Sequence, residues 1–171
     1  MYRLQSYGAE GAYVINDTFP YQSVFRADDA AAAELIVVNL NQQVMLIELA
    51  EHRFNFEVAG LTLADGLSIA TDRESQSQLS NCFVDLKHGL IPDTDWKGSG
   101  WQLVDLDQIE PMAKAVAAHR RGCFRGERLV QTVINDAKTV ADLELINIRQ
   151  LFGDAYQEAY EGVMTPEQAA E

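Results

Sequence analysis

The chain has 171 residues, of which 13 are Lys or Arg and 26 are Asp or Glu, giving a formal net charge of −13. This length suits one domain with its own hydrophobic core, and a hydrophobic content of 47% excludes a wholly disordered chain. The acidic excess predicts repulsion from phosphate backbones and anionic lipid, so we expect neither nucleic acid nor a membrane as partner.

The first 27 residues carry no helical periodicity and are rich in Tyr, Gly and Phe. Tyr13-Val14-Ile15 predicts a short strand, and turn-forming residues follow at Asn16-Asp17 and at Phe19-Pro20. The segment therefore predicts either a small sheet element or an extended arm, which would pack on this chain or on a neighbour.

A helix is predicted from about residue 28 to residue 52, because Asp28-Asp29 can accept the free backbone N–H groups at a helix start. Four apolar residues share one face at helical spacing, namely Ile36, Leu40, Val44 and Ile47. Further apolar residues occupy the other faces, which indicates a helix that is deeply buried or packed against another subunit. Two buried strands, 35–38 and 44–49, are the alternative. Polar residues interrupt this apolar run, so no membrane span is expected.

Short strands are predicted next. Phe54, Phe56 and Val58 alternate with polar residues, and turns at Gly60 and Asp65-Gly66 separate two further apolar pairs. This pattern predicts a meander of three short strands.

The segment Thr71-Asp72-Arg73-Glu74 has the form of a capping box and predicts a helix that ends near Gly89. Trp96 and Trp101 then flank a turn between two short strands, with Trp101, Leu103 and, after a shift, Leu106 on the apolar face.

The longest predicted helix covers roughly residues 107–137. Its apolar face has nearly heptad spacing and comprises Ile109, Met112, Val116, His119, Cys123, Gly126, Val130, Val133 and Ala137. Gly122 and Gly126 each cost about 1 kcal/mol relative to alanine inside a helix, so they predict a close helix approach or a bend. Thr139 and Asp142 predict the cap of a last short helix, and Tyr156 lies in an acidic tail that could extend it.

These elements predict an α+β fold in which short hairpins or a meander pack with several helices. We divide the chain into three parts: an N-terminal arm and apolar helix for oligomerisation or attachment (1–49), an α+β domain (50–152) and an acidic C-terminal tail (153–171).

The sequence predicts no catalytic, metal-binding or cofactor-binding site, and hence no enzyme. Glu48, Glu51 and His52 cluster at one helix end and could bind a cation. Side chains in this position are more often simply solvated, so we predict no cation site here. His119 and Cys123 stand one helical turn apart, a spacing typical of core packing. A remote alternative is a divalent-cation-dependent hydrolase that uses Glu48, Glu51, Asp93 or Asp95.

Two cysteines, Cys82 and Cys123, fall on apolar helix faces and do not form a CxxC pair. They predict buried thiols in a chain made in a reducing cytoplasm. The basic residues Arg121, Arg125 and Arg128 form one helical stripe, which would pair with acidic helices of this chain or dock a partner's carboxylates.

Residues from about 50 to 148 resemble a family of short domains, uncharacterised in function, that is common in bacteriophage and prophage tail regions. The features that carry the resemblance occur in the same order and are Phe54-x-Phe56 with Gly60, Thr71 to Ser75, Asp95-Trp96, Trp101 through Asp105-Leu106, His119 followed by Cys123-Phe124 and Glu127, and Ala137-x-Thr139 with Leu143 and Ile146. The family has no catalytic residues to carry over.

The resemblance implies a structural protein of the virion tail, at the baseplate, tail tip or fibre attachment point. A non-virion chaperone for tail-fibre assembly is the alternative. The expected partners are other phage tail proteins and further copies of this chain in a homo-oligomer. The residues expected to contact them are Trp96, Trp101, Arg121, Arg125, Arg128, Ile36, Leu40 and Val44.

Overall fold

The computed structural model describes residues 1–8, 11–63, 66–97 and 100–165. In chain order the elements are β1 (Tyr2–Gly8), β2 (Gly11–Asn16), β3 (Phe19–Ala27), α1 (Ala30–Val58), β4 (Leu61–Thr62), β5 (Ser68–Ile69), α2 (Arg73–Lys87), β6 (Thr94–Lys97), β7 (Trp101–Val104), α3 (Leu106–Asp136), α4 (Val140–Glu144) and α5 (Ile148–Met164). The strands pair antiparallel in the orders β1-β2-β3, β4-β5 and β6-β7. The predicted α+β fold is confirmed.

The chain forms two compact units. The first comprises Met1–Glu51 and Glu127–Leu151, and the second comprises His52–Gly126 and Phe152–Glu171. The sequence instead divided the chain into residues 1–49, 50–152 and 153–171. The separate roles given to those three parts remain a prediction.

The first unit contains the three-stranded sheet, so the N-terminal segment forms a sheet element. Its core joins β2 and β3 to α1 through Ala12, Val14, Ala27, Ala33 and Val37. The sequence predicted a second turn at Phe19-Pro20, but strand β3 already begins at Phe19. The chain reverses within the single turn at Asp17-Thr18, so no second turn is needed. The Asn16 side chain closes that turn by accepting the N–H of Thr18 at 2.8 Å.

Two of the polar residues that interrupt the apolar run of α1 form specific hydrogen bonds inside the first unit. Asn41 is buried and bonds both backbone groups of Tyr2, accepting its N–H at 2.8 Å and donating to its carbonyl at 3.1 Å. Gln42 donates to the carbonyls of Ile134 and Ala137 at 2.9 and 3.1 Å. These carbonyls lie at or beyond the end of α3, where no further helical N–H can reach them.

Helix α1 is longer than predicted, and the predicted strand of Phe54, Phe56 and Val58 is wrong. No Gly or Pro interrupts the helix before Gly60, whose positive φ of 97° ends it. Arg53 and Glu57 pair across one helical turn at 2.6 Å, which requires helical geometry here. The short run of alternating apolar residues was therefore part of a helix, and the meander is reduced to the β4-β5 pair.

Among the described residues, α1 alone is apolar enough over its length to cross a membrane, a test that the core helix of a soluble protein also passes. The sequence led us to expect no such segment. The helix qualifies because mean hydropathy over 18 residues averages out the interspersed Asn and Gln side chains.

The cap of α2 is Asp72, so the predicted capping role of Thr71 is wrong. Asp72 Oδ1 accepts the N–H groups of Glu74 and Ser75 at 3.1 and 3.0 Å. The Thr71 hydroxyl is buried and used elsewhere: it donates to the Glu57 carbonyl at 2.6 Å and accepts the Gly60 N–H at 2.9 Å. A tertiary contact with the end of α1 thus displaces the local cap.

Asp72 makes stability depend on pH in a defined direction. The Ser75 hydroxyl and backbone N–H lower the pKa of the Asp72 carboxyl below its ordinary 3.8. The stabilisation is therefore fully present above pH 3.8 and is lost as pH falls through the lower folded-state value. We expect Asp72→Asn to unfold at lower urea concentration than the wild type at neutral pH, with a difference that closes at acid pH. Urea denaturation across this range checks it, and a difference that widens on acidification would contradict it.

The second unit has a core between α2, α3 and the two short hairpins. Its buried members are Ile69, Leu79, Leu86, Val104, Ile109 and Val116. Helix α3 starts at Leu106, and Asp105 and Gln108 cap it reciprocally: each side chain accepts the other's backbone N–H, at 3.2 and 3.1 Å. The predicted heptad face of α3 is buried or half-buried at every position, from Ile109 to Ala137.

Gly122 and Gly126 allow α5 to approach α3 closely, as the sequence predicted. A Cβ on Gly122 would lie 2.6 Å from the Tyr156 ring, and one on Gly126 would lie 2.9 Å from the Phe152 carbonyl oxygen. Helix α5 runs on to Met164, with Phe152 and Tyr156 buried, so the first part of the predicted tail belongs to the core. The rest of the predicted acidic C-terminal tail, residues 166–171, lies outside the described residues.

The short helix α4 is capped as predicted. The Thr139 hydroxyl accepts the Asp142 N–H at 3.1 Å, and the Asp142 carboxylate accepts the Thr139 N–H at 2.9 Å.

Candidate functional site

The β6-β7 hairpin of the second unit presents large apolar side chains to solvent. Trp101 and Leu103 alternate along β7 and are 71% and 63% exposed. Lys97 lies opposite Trp101, with its ammonium 5.6 Å from the ring centroid, and Asp95 lies opposite Leu103. The apolar face that Trp101 and Leu103 form is therefore the solvent face of the hairpin, and this outer hairpin face is a candidate protein-binding surface.

The other hairpin face points inward, because side chains alternate along a strand. Trp96 is half-buried and packs against the core of the second unit, and Val104 is a buried member of that core. The hairpin therefore separates the two tryptophans: Trp96 holds it to the core, and Trp101 is free to contact a partner.

The predicted basic residues on α3 are all exposed, but they differ in what they contact. Arg121 donates to the carbonyl of Ala159 in α5 at 2.6 Å, so part of its bonding capacity is used inside the second unit. Arg125 and Arg128 have no ion-pair partner among the described residues and extend into solvent.

The three predicted contact residues on α1 are not equally accessible. Ile36 and Leu40 are half-buried against the core of the first unit, whereas Val44 is 43% exposed. The buried residues of α1 in the first unit are instead Ala33, Val37, Val38, Asn41, Met45 and Leu49. Burial is rotated from the predicted stripe because sheet packing and the Asn41 hydrogen bonds select the buried face of a helix that is apolar all round.

His119 is the centre of a buried polar cluster in the second unit. Its Nε2 lies 3.0 Å from the Glu57 carbonyl oxygen, which can only accept, so Nε2 carries a proton. Its Nδ1 lies 2.8 Å from the Tyr156 hydroxyl and accepts from it in the neutral imidazole. Burial, with smaller contributions from Cys123 and Tyr160, raises the pKa of Tyr156 above its ordinary value.

This arrangement leaves His119 no free nitrogen that could accept the proton of the Cys123 thiol. The thiol sulfur lies 3.9 Å from Nε2, which already donates to Glu57. Phe56 stacks on the imidazole at 5.8 Å between ring centroids, and both His119 and Cys123 are buried. The pair therefore packs as the sequence predicted and does not have the geometry of an activated nucleophile.

The acidic residues considered as cation ligands do not converge. Within the described ranges no three His, Cys, Asp or Glu side chains are grouped to hold a metal ion, including Glu48, Glu51 and His52. The remaining thiol, Cys82, is half-buried. Its pKa is raised mainly by burial and to a smaller extent by the negative charge of Asp85.

The family described as a domain of unknown function, DUF4376, matches residues 41–149. The chain belongs to the DUF4376 family. Comparison with curated proteins and with solved structures gives no match. The DUF4376 segment includes the β6-β7 hairpin, α2 and all of α3, so the exposed Trp101 and Leu103 and the basic residues of α3 lie inside it.

The DUF4376 segment also contains a groove that the sequence did not predict. It lies between α2 and α3, has a volume of about 670 Å³ and is lined by Gln76, Leu79, Ser80, Phe83, Val84, Glu110, Ala113, Lys114, Val116, Ala117 and Arg120. No local sequence pattern indicated this groove, because its lining residues lie on two helices that are far apart in the sequence.

Proposed function

We propose that the chain is a structural component of a bacteriophage tail, at the baseplate, tail tip or fibre attachment point, and that it acts by binding other tail proteins. The observation that carries the protein-binding role is the outer hairpin face, where Trp101 and Leu103 stand side by side in solvent. Aromatic residues of this size dominate the energetics of protein interfaces. The place in a tail is supported by the resemblance of residues 50–148 to domains of phage tail regions.

Quantitative mass spectrometry of purified phage particles from the parent system tests this placement. A fixed stoichiometry to known tail proteins supports a structural role, and the ratio indicates the symmetry of the position. Detection in infected-cell lysate but not in particles contradicts it and favours the alternative, a chaperone of tail-fibre assembly.

Trp101→Ala combined with Leu103→Ala tests the surface itself. Because both side chains are exposed, we expect a change in the free energy of unfolding within about 0.5 kcal/mol. Loss of an interface anchor costs about 2 kcal/mol or more in binding, so the variant should be strongly depleted from particles. The readout is the ratio of this chain to the other tail proteins, measured by mass spectrometry after complementation.

The matched control is Leu90→Ala combined with Leu145→Ala, at two residues that are 69% and 85% exposed and lie outside the hairpin. This variant removes a comparable amount of exposed apolar surface and should be incorporated normally. Equal depletion of both variants would show that the hairpin face is not the contact surface.

A further inference from the structure

The groove between α2 and α3 has the dimensions of a short helix. Its lining residues run from Gln76 to Val84 on α2 and from Glu110 to Arg120 on α3. At 1.5 Å per residue these segments are about 12 and 15 Å long, which corresponds to two to three helical turns. An amphipathic helix that inserts one apolar face contacts such a groove with side chains spaced at i, i+3, i+4 and i+7.

The floor of the groove is apolar and has few free polar groups. Leu79 and Val116 form its buried part, and Phe83 and Val84 line it at intermediate or greater exposure. The Gln76 amide already donates to the Thr71 carbonyl at 2.6 Å. A small polar ligand would need several directed hydrogen-bonding groups to be oriented. An apolar helix face needs none.

The charges at the rim are the reverse of those of the whole chain. Three charged residues line the groove: Glu110, Lys114 and Arg120. Glu110 is paired with Lys87 at 2.8 Å, whereas Lys114 and Arg120 are exposed and have no acidic partner among the described residues. The uncompensated rim charge is therefore positive in a chain of net charge −13.

We propose that this groove binds an amphipathic helix of another protein, with an apolar face in the groove and acidic residues on its flanks. The apolar face packs against Phe83, Val84 and Ala117, and the acidic flank pairs with Lys114 and Arg120. The net negative charge of the rest of the chain disfavours acidic segments elsewhere, so the rim charges also fix where such a helix docks.

Two synthetic helical peptides of about 14 residues provide the probe, a length of about four turns. Both carry Leu at i, i+3, i+4 and i+7, and they differ in having Glu or Lys on the flanks. Binding to the full chain is measured by fluorescence anisotropy at low and high salt. We expect the Glu peptide to bind at least about tenfold more tightly than the Lys peptide, with a preference that weakens as salt screens the rim.

Variants localise the binding. Lys114→Glu combined with Arg120→Glu should reverse the preference between the peptides, and Ala117→Trp should weaken both by filling the groove. The matched control is Lys138→Glu combined with Arg149→Glu, which changes the net charge equally at two exposed residues outside the groove lining. It should keep the preference for the Glu peptide. Circular dichroism and thermal unfolding confirm that each variant is folded before binding is compared.

Four results would overturn the proposal: no binding of the Glu peptide, equal binding of both peptides, equal loss of preference in the control, or no effect of Ala117→Trp. A dimer in sedimentation velocity that Ala117→Trp converts to monomer would also overturn it, because a second copy would then occupy the groove. The proposal deepens the protein-binding role but does not need the phage tail. Peptide binding tests the groove and particle composition tests the tail, so each can fail separately.

Discussion

Gly126→Ala is expected to destabilise the chain, although alanine is the better helix former. The new Cβ would lie 2.9 Å from both the carbonyl oxygen and the Cδ2 of Phe152. The ring can rotate, but the backbone oxygen belongs to α5 and moves only if the helix moves. Overpacking of this kind costs about 1–3 kcal/mol, which exceeds the gain of about 1 kcal/mol in helix propensity.

Gly153→Ala is the matched control, because Gly153 lies in α5 beside Phe152 and a Cβ added there would have no atom within 4 Å. Here only helix propensity changes, so we expect the free energy of unfolding to rise by up to about 1 kcal/mol. Urea denaturation of the two variants gives the free energies of unfolding. If both substitutions stabilise the chain, then α3 and α5 can accommodate a Cβ at residue 126 without cost, and the prediction is contradicted.

The features that the sequence predicted best are those set by a long regular pattern. The buried face of α3 keeps its near-heptad spacing along the whole helix, so occasional polar or small residues do not obscure it. The two glycines were informative for the same reason, because a glycine inside a strongly periodic helix needs a packing explanation. The caps at Thr139 and Asp142 depend on contacts between residues close in the sequence and were also predictable.

The errors arose where a distant partner decides between local alternatives. Thr71 matches a capping residue, but the end of α1 takes up its hydroxyl and leaves Asp72 as the cap. The alternation at Phe54 and Phe56 fits a strand over a window too short to distinguish the two periods. Their helical state is stabilised by contacts such as Phe56 with Tyr156, at 4.8 Å between ring centroids.

The candidate site was partly predictable for the same physical reasons. Trp101 was identified as a contact residue because of its size, but its exposure depends on which face of a two-stranded hairpin meets the core. The α2-α3 groove is formed by two helices whose lining residues are far apart in the sequence, and no local pattern in either helix specifies the space between them. Its basic rim becomes visible only when Glu110 is seen to pair with Lys87.

Arg53→Met is expected to lower the free energy of unfolding by about 3 kcal/mol or more, because it leaves a buried carboxylate without its cation. The Glu57 side chain is 3% exposed, and its Oε2 lies 2.6 Å from the Arg53 guanidinium. Arg73 cannot replace that contact fully, since it is 4.0 Å away and largely in solvent. Methionine keeps the length of the arginine stem, so part of the packing of Arg53 over the Phe124 ring is retained.

Adding Glu57→Met to Arg53→Met should recover most of the lost stability, since replacing both members of a buried pair by apolar groups is often neutral or stabilising. Glu57→Met also removes the 3.5 Å contact between the Gln76 amide and the Glu57 carboxylate. The Gln76 amide keeps its 2.6 Å hydrogen bond to the Thr71 carbonyl, so it is not left without a partner. The control is Lys87→Met, which breaks the Lys87–Glu110 pair, whose members are about half exposed, and should cost at most about 1 kcal/mol. Urea denaturation of the three variants separates the cases. Equal losses for Arg53→Met and Lys87→Met, or no recovery in the double variant, would mean that burial of Glu57 does not set the energetics of this ion pair.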